Sequence, residues 1–133
     1  MTLIQFKEFD ESRPIYLQVI EAIKKAIIRG ELKPGDKIPS VRELAQELRI
    51  NPNTVQKAYQ ELEREGITFT RRGQGNFVTE DQDKITSLKQ EILEKIVRDF
   101  IDELSSVNLN LEDIMEKIKE YMKNEGHSNR KFR

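Results

Sequence analysis

Two short capped helices separated by tight turns punctuate the first half of this chain, and few folds accept that spacing. The stretch reads Gly30-Glu31-Leu32-Lys33-Pro34-Gly35-Asp36-Lys37-Ile38-Pro39-Ser40-Val41-Arg42-Glu43-Leu44-Ala45, and Asn51-Pro52-Asn53-Thr54-Val55 follows. Gly30 suits the left-handed position that closes a preceding helix. In Pro34-Gly35, proline presets φ and glycine accepts positive φ at the next position, as a tight turn requires. Ser40 with Glu43 three residues on is a capping box, which predicts a helix from about Val41. Val41, Leu44, Ala45 and Leu48 fall at i, i+3, i+4 and i+7, one stripe for burial. Asn51 can cap the next helix, with Pro52 at its first position, where a missing N–H costs nothing. There Val55, Ala58, Tyr59 and Leu62 form a core stripe, Asn53, Gln56, Lys57 and Gln60 an opposite polar stripe, and Gly66 the end. This is the punctuation of a helix-turn-helix whose outer face reads base edges rather than performing chemistry.

The next segment predicts a β-hairpin wing. Ile67-Thr68-Phe69-Thr70 alternates apolar and polar residues, Arg71-Arg72-Gly73-Gln74-Gly75 is a glycine-bearing turn with two cations, and Asn76-Phe77-Val78 returns. Phe69 and Phe77 are expected to pack under the wing. Asp36-Lys37-Ile38 could add a short strand beside it. Upstream, Ser12 is expected to cap a first helix running to about Arg29, with Tyr16, Val19, Ile20, Ile23 and Ile27 as its core stripe; residues 2–9 suggest a short strand or packed arm.

Residues 12–79 resemble the winged helix-turn-helix domain of the GntR family of bacterial transcription regulators. Arg13-Pro14-Ile15-Tyr16, with Gln18 and Ile20, resembles the YtrA-like subfamily, as does the short remainder after the wing. The resemblance implies that Arg42, the arginine of Pro-Ser-x-Arg, contacts DNA together with Asn53, Thr54 and Gln56, and that Gly73 enters the minor groove. It also implies repression, frequently of operons encoding ABC transporters. Several members carry arginine where this chain has Pro52 and Gln56, so a different operator with fewer phosphate or guanine contacts is expected.

Chemistry and placement fill out that set. Asn53 and Gln56 carry amides able to pair with adenine, and Arg42 can reach guanine or phosphate. Ser40, Lys57 and Arg71 stand around the same side, and Arg72, Gly73 and Gln74 would lie over the minor groove. Overall charge adds nothing: 23 Lys+Arg against 24 Asp+Glu give −1. Residues 1–80 carry 13 and 12, a net of +1, and residues 81–133 carry 10 and 12, a net of −2.

The expected organisation is a mainly α fold with a small β-hairpin wing: a DNA-binding domain over 1–80, a helical dimerisation extension over 81–124 and a frayed tail over 125–133. The acidic Glu80-Asp81-Gln82-Asp83 marks the junction. A helix from about Lys84 to Ser105 carries Ile85, Leu88, Ile92, Ile96, Phe100 and Leu104 along one side, widened by Leu93, Val97 and Ile101. Asn110 caps a second helix carrying Ile114, Met115, Ile118, Tyr121 and Met122. A two-helix hairpin cannot bury both stripes on itself, and a second copy would cover the remainder.

The function that follows is a homodimeric, sequence-specific regulator binding an inverted-repeat DNA operator. A winged helix used for protein docking would need an apolar outer face on the third helix. An enzyme is not expected: the chain has no cysteine, its one histidine, His127, sits in the tail, and no phosphate-loop fingerprint is present. No metal or other cofactor is expected, nor a signal peptide or membrane span, and the location is expected to be cytoplasmic. The remainder after the wing is too small for an enclosed effector domain. Any ligand is expected at the dimer groove or at the junction near Glu80–Asp83.

Overall fold

A computed structural model describes residues 8–124. Five helices and one hairpin follow in the order α1 (Ile15–Arg29), α2 (Val41–Leu48), α3 (Pro52–Arg64), β1 (Thr68–Arg71), β2 (Gly75–Val78), α4 (Gln82–Ser106) and α5 (Leu111–Asn124). The chain divides into two compact units, residues 1–91 and 92–133. The expected arm over residues 2–9 lies largely outside the described residues, as do the expected tail and His127.

In the first unit, α1 and α2 pack on α3, and the hairpin follows α3. Val19, Ile20, Ile23, Ala26 and Ile27 of α1 meet Leu44 and Ala45 of α2 and Val55, Ala58, Tyr59 and Leu62 of α3 in one buried core. Leu32, Ile38 and Ile67 from the connecting segments and Val78 of β2 complete it. Val41 and Leu48, expected to be fully buried, are half-buried, because the two-turn α2 lays only its central positions on the core.

The caps are local and match the expectation where the residues are local. Ser40 and Glu43 form the full capping box of α2, and Asn51 accepts from the Asn53 amide at 2.8 Å to open α3. The start of α1 differs. Its N-cap is Pro14, without a side-chain capping bond, and Ser12 instead donates its hydroxyl to the Asp10 carboxylate at 2.6 Å. The buried Gln18 does the anchoring from within the helix. Its Oε1 accepts from the Asp10 amide at 2.8 Å, and its Nε2 donates to the carbonyls of Asp10 at 2.7 Å and Arg13 at 3.1 Å.

β1 and β2 pair antiparallel, with Thr68 opposite Val78, Phe69 opposite Phe77, Thr70 opposite Asn76 and Arg71 opposite Gly75. Lys37 makes an isolated bridge to Phe77, flanked by bonds from Ile38 N to Asn76 O and from Val78 N to Asp36 O. The expected third strand is thus a single bridge. The hairpin's inner face is carried by Thr68 and Val78, both buried. Phe69 and Phe77 do not pack under the wing; they stack on each other, half-buried, with ring centroids 5.7 Å apart. The physical reason is parity. Once Thr68 faces the core, its neighbour must face away.

α4 begins at Gln82, within the acidic segment expected to be a junction. In the second unit, α4 ends in a turn with Asn108 at φ 52°, and Asn110 caps α5 by accepting from the Glu112 amide at 2.7 Å. No residue of α5 is buried. All the exposed large apolar side chains of the described residues except Leu17 lie between Leu93 and Tyr121. Five residues named from the sequence as dimer contacts depart from that set, Ile85, Ile92 and Ile114 being half-buried. Leu88, at 3% exposure, and Leu104, at 9%, are already covered within the single chain.

Candidate nucleic-acid interface

The outward face of α3 is polar because its inward face takes all the apolar positions. Val55, Ala58, Tyr59 and Leu62 are buried, Asn53, Gln56, Lys57 and Gln60 are exposed, and Thr54 is half-buried between them. Asn53 and Gln56 therefore present carboxamides to solvent on one rigid rod. Each offers a donor and an acceptor side by side, the pattern that pairs with N6 and N7 of adenine in a major groove. The cap uses only the Asn53 backbone amide, so its side chain stays available. Lys57 is partly committed: its Nζ sits 4.0 Å from the centre of the Tyr16 ring. Nothing in the sequence singled out Tyr16 for that contact.

The turn before α2 is fixed to α3 by a side chain from the core. Tyr59 donates its hydroxyl to the Pro39 carbonyl at 2.5 Å, and burial first, then the nearby Glu43 and Glu47 carboxylates, push that phenol's pKa up. The bond fixes Ser40 and Arg42 relative to the outward face of α3. Ser40 is engaged in its cap: its amide donates to Glu43 Oε1 at 2.9 Å and its Oγ accepts from the Glu43 amide at 3.1 Å. The Ser40 amide is also the main reason the Glu43 carboxyl lies below its ordinary range. A hydroxyl that accepts still has its proton to donate. Arg42, exposed on the first turn of α2, forms no ion pair among the described residues. Tyr59→Phe should keep the ring and lose the bond, lowering stability by about 1 kcal/mol because the half-buried Pro39 carbonyl loses its partner. Urea unfolding checks this, and an unchanged midpoint would remove the bond from the frame.

At the wing, Gln74 N donates to Arg71 O at 2.9 Å to close the turn, and Gly73 occupies it at φ 77°. A side chain there would be strained, although nothing lies within 4 Å of where its Cβ would stand. The open tip consists of Arg72, Gly73 and Gln74, all exposed. Arg71 is held differently, its guanidinium carbon 5.4 Å and 5.2 Å from the centres of Phe69 and Phe77. The Thr70 hydroxyl lies within hydrogen-bonding reach of Glu63 on α3 and is 2.9 Å from Asn76 Oδ1, which ties the wing to the third helix.

The ten candidates therefore divide. Arg42, Asn53, Thr54, Gln56 and the tip residues Arg72, Gly73 and Gln74 stand on the helix-turn-helix and wing, whereas Ser40, Lys57 and Arg71 are engaged with their own chain. Lys37, read from the sequence only as part of a short strand beside the wing, lies along it: a Cβ on Gly75 would come within 2.9 Å of its Cε. Among the described residues, no cluster of three or more His, Asp or Glu could hold a metal ion, and no helix is long and apolar enough to cross a membrane.

Residues 15–78 match the family described as bacterial regulatory proteins, gntR family. The HTH-type transcriptional repressor YtrA of Bacillus subtilis is 44% identical over 115 residues, covering 82% of this chain and 85% of YtrA. This chain belongs to the GntR family. A solved GntR-family transcriptional regulator from Listeria monocytogenes superposes with a TM-score of 0.80 at 43% identity, covering 84% of this chain and 98% of that one. The GntR likeness thus continues past the wing, since both matches cover more of the chain than α1 to β2 contains. A crystal structure of the AraR DNA-binding domain in complex with operator ORX1 superposes at TM-score 0.50 and 34% identity, over 56% of this chain and 93% of that one. The GntR proteins are regulators and not enzymes, and this one is a DNA-binding regulator of transcription.

Proposed function

We propose that this chain binds an inverted-repeat operator as a homodimer and represses the genes beside it. Residues 1–80 would act as the DNA-binding domain and residues 81–124 as the pairing extension, in the cytoplasm where the DNA lies. The observation that carries the reading is the outward face of α3: after Pro52 at its first position, its exposed side chains are Asn53, Gln56, Lys57, Gln60, Glu63 and Arg64, all polar or charged. A protein-docking surface at that place would be apolar at its centre. Two amides, an adjacent arginine and an open glycine tip supply major-groove and minor-groove contacts together. Repression is supported by the likeness to YtrA, which is named a repressor.

Pairing is supported by the second unit. Leu93, Ile96, Val97, Phe100 and Ile101 of α4 and Leu111, Met115, Ile118 and Tyr121 of α5 are each 40% exposed or more. A single chain in water does not stably carry so continuous an apolar surface. A second copy is the partner in constant supply, and two-fold pairing places two α3 helices for two half-sites of opposite direction.

Selection from a random duplex library with the full-length protein tests the reading. The expected result is enrichment of an inverted repeat with half-site centres about one DNA turn, roughly 10 base pairs, or a multiple of it apart. A selected duplex should bind roughly a thousandfold or more tighter than a scrambled one. Equal retention of every sequence would overturn specific binding, and enrichment of a single unrepeated half-site would overturn the dimer.

A further inference from the structure

We propose that Arg71 is a positioning residue of the wing, and that the cation the wing tip delivers to DNA is that of Arg72. The inference rests on the DNA-binding reading above and divides the work between two adjacent residues of identical type. It starts from strand parity. In the β1–β2 register, Phe69 faces Phe77 and Arg71 faces Gly75. Phe69 and Arg71 are two apart on one strand and so share a face, the face opposite the buried Thr68 and Val78. On that outer face the two rings stack at an interplanar angle of 24°. The Arg71 guanidinium stands over both at near-equal distance, 5.4 Å and 5.2 Å from the centroids. A guanidinium lies flat on aromatic faces and covers apolar surface as it does so.

The opposite position explains why there is room. Gly75 has no side chain to offer Arg71, and the Lys37 stem runs across that space instead. Rings, guanidinium and lysine stem together cover one side of a hairpin whose strands are four residues each. A two-stranded ribbon that short is marginal by itself and depends on such cross-strand contacts. Arg72 falls in the turn, beyond the strand pairing. It is exposed and makes no hydrogen bond, ion pair or ring contact among the described residues, and its neighbour Gly73 has open space around it. Arg72 is therefore free to move onto a phosphate or into a narrow groove without breaking anything. Arg71 would have to abandon both rings.

Two measurements on the full-length protein test the division. The first needs no DNA: amide hydrogen exchange across residues 68–78. Arg71→Ala should speed exchange of the paired hairpin amides roughly two- to five-fold, the effect of one exposed cation–aromatic contact. Phe77→Leu should do the same, Arg71→Ala on top of Phe77→Leu should add little, and Arg72→Ala should leave the rates unchanged. The second measures affinity for a short duplex selected from a random library, across a salt series. Arg72→Gln should lower the slope of log affinity against log salt by about one per site. Arg71→Gln, which keeps a planar group over the rings, should leave the slope as in the parent, while Arg71→Ala should weaken binding by a similar factor at every salt. Unmoved exchange in Arg71→Ala, or a slope that falls as much with Arg71→Gln as with Arg72→Gln, would overturn the assignment. Failure of every duplex to bind would instead strike the DNA-binding reading and the Arg72 half with it, leaving the role of Arg71 in the wing to be decided by exchange alone.

Discussion

Arg42→Ala is expected to weaken operator binding about a hundredfold, roughly 2.7 kcal/mol, with almost no change in folding stability. The affinity figure is that of one good bidentate contact to guanine, or of a charged contact to phosphate made from a fixed frame. The stability figure follows from exposure: Arg42 touches no ion-pair partner among the described residues and caps nothing. Asn53→Ala and Gln56→Ala should each cost roughly 1–3 kcal/mol and relax preference at one base pair per half-site. Asn53→Ala should preserve the α3 cap, because the bond to Asn51 uses the backbone amide. Fluorescence anisotropy against the selected operator and against single-base variants measures both effects, and urea unfolding measures stability. If all three variants bind like the parent, the groove-facing surface lies elsewhere on the molecule.

Ile96→Glu or Phe100→Glu should turn the proposed dimer into monomers. Ile96 is 59% exposed and Phe100 40% in the single chain, so neither substitution removes much of the chain's own core. In the pair, each would place a carboxylate in an apolar interface twice, at a cost of several kcal/mol unless something pairs with it. Sedimentation at micromolar protein should show the change, and operator affinity should fall with it, because two half-sites held by separate chains lose the gain of a shared attachment. A variant that remains dimeric would place the pairing surface outside α4.

What the sequence revealed of this fold was what its physics keeps local. A cap is a matter of three or four residues, so Ser40, Asn51 and Asn110 could be recognised without knowing what surrounds them. The periodic stripe of α3 was legible for the same reason, and with it the polar face that defines the candidate site. Ser12 misled because Gln18 of α1 anchors the segment before it through Asp10, eight residues back, a bond no short window contains. The aromatic residues of the wing misled differently. A four-residue strand has two faces and the sequence does not say which is inward; packing on α3 decided for Thr68 and Val78. The apolar stripe of α4 showed where covered surface was wanted but not which members the chain covers for itself. Leu88 and Leu104 could be separated from Ile96 and Phe100 only by the coordinates. The engagement of Arg71 with two rings was out of reach because it depends on a register two strands wide.

Gln18 has a consequence for how this regulator responds to its surroundings. Beside the Ser12–Asp10 bond and the Arg13–Glu21 pair, the segment leading into α1 is held by one uncharged carboxamide whose oxygen and both amide hydrogens are spent on backbone groups. No proton enters or leaves that group in the range where cells live, and dissolved ions barely weaken bonds between neutral partners. Swings in potassium or acidity therefore leave these three bonds as they are, while salt acts strongly on the counterions around the duplex. A salt dependence of operator binding should therefore originate in the counterions released from DNA and not at Gln18. A regulator anchored in this way should feel ionic strength at its operator more than at these bonds.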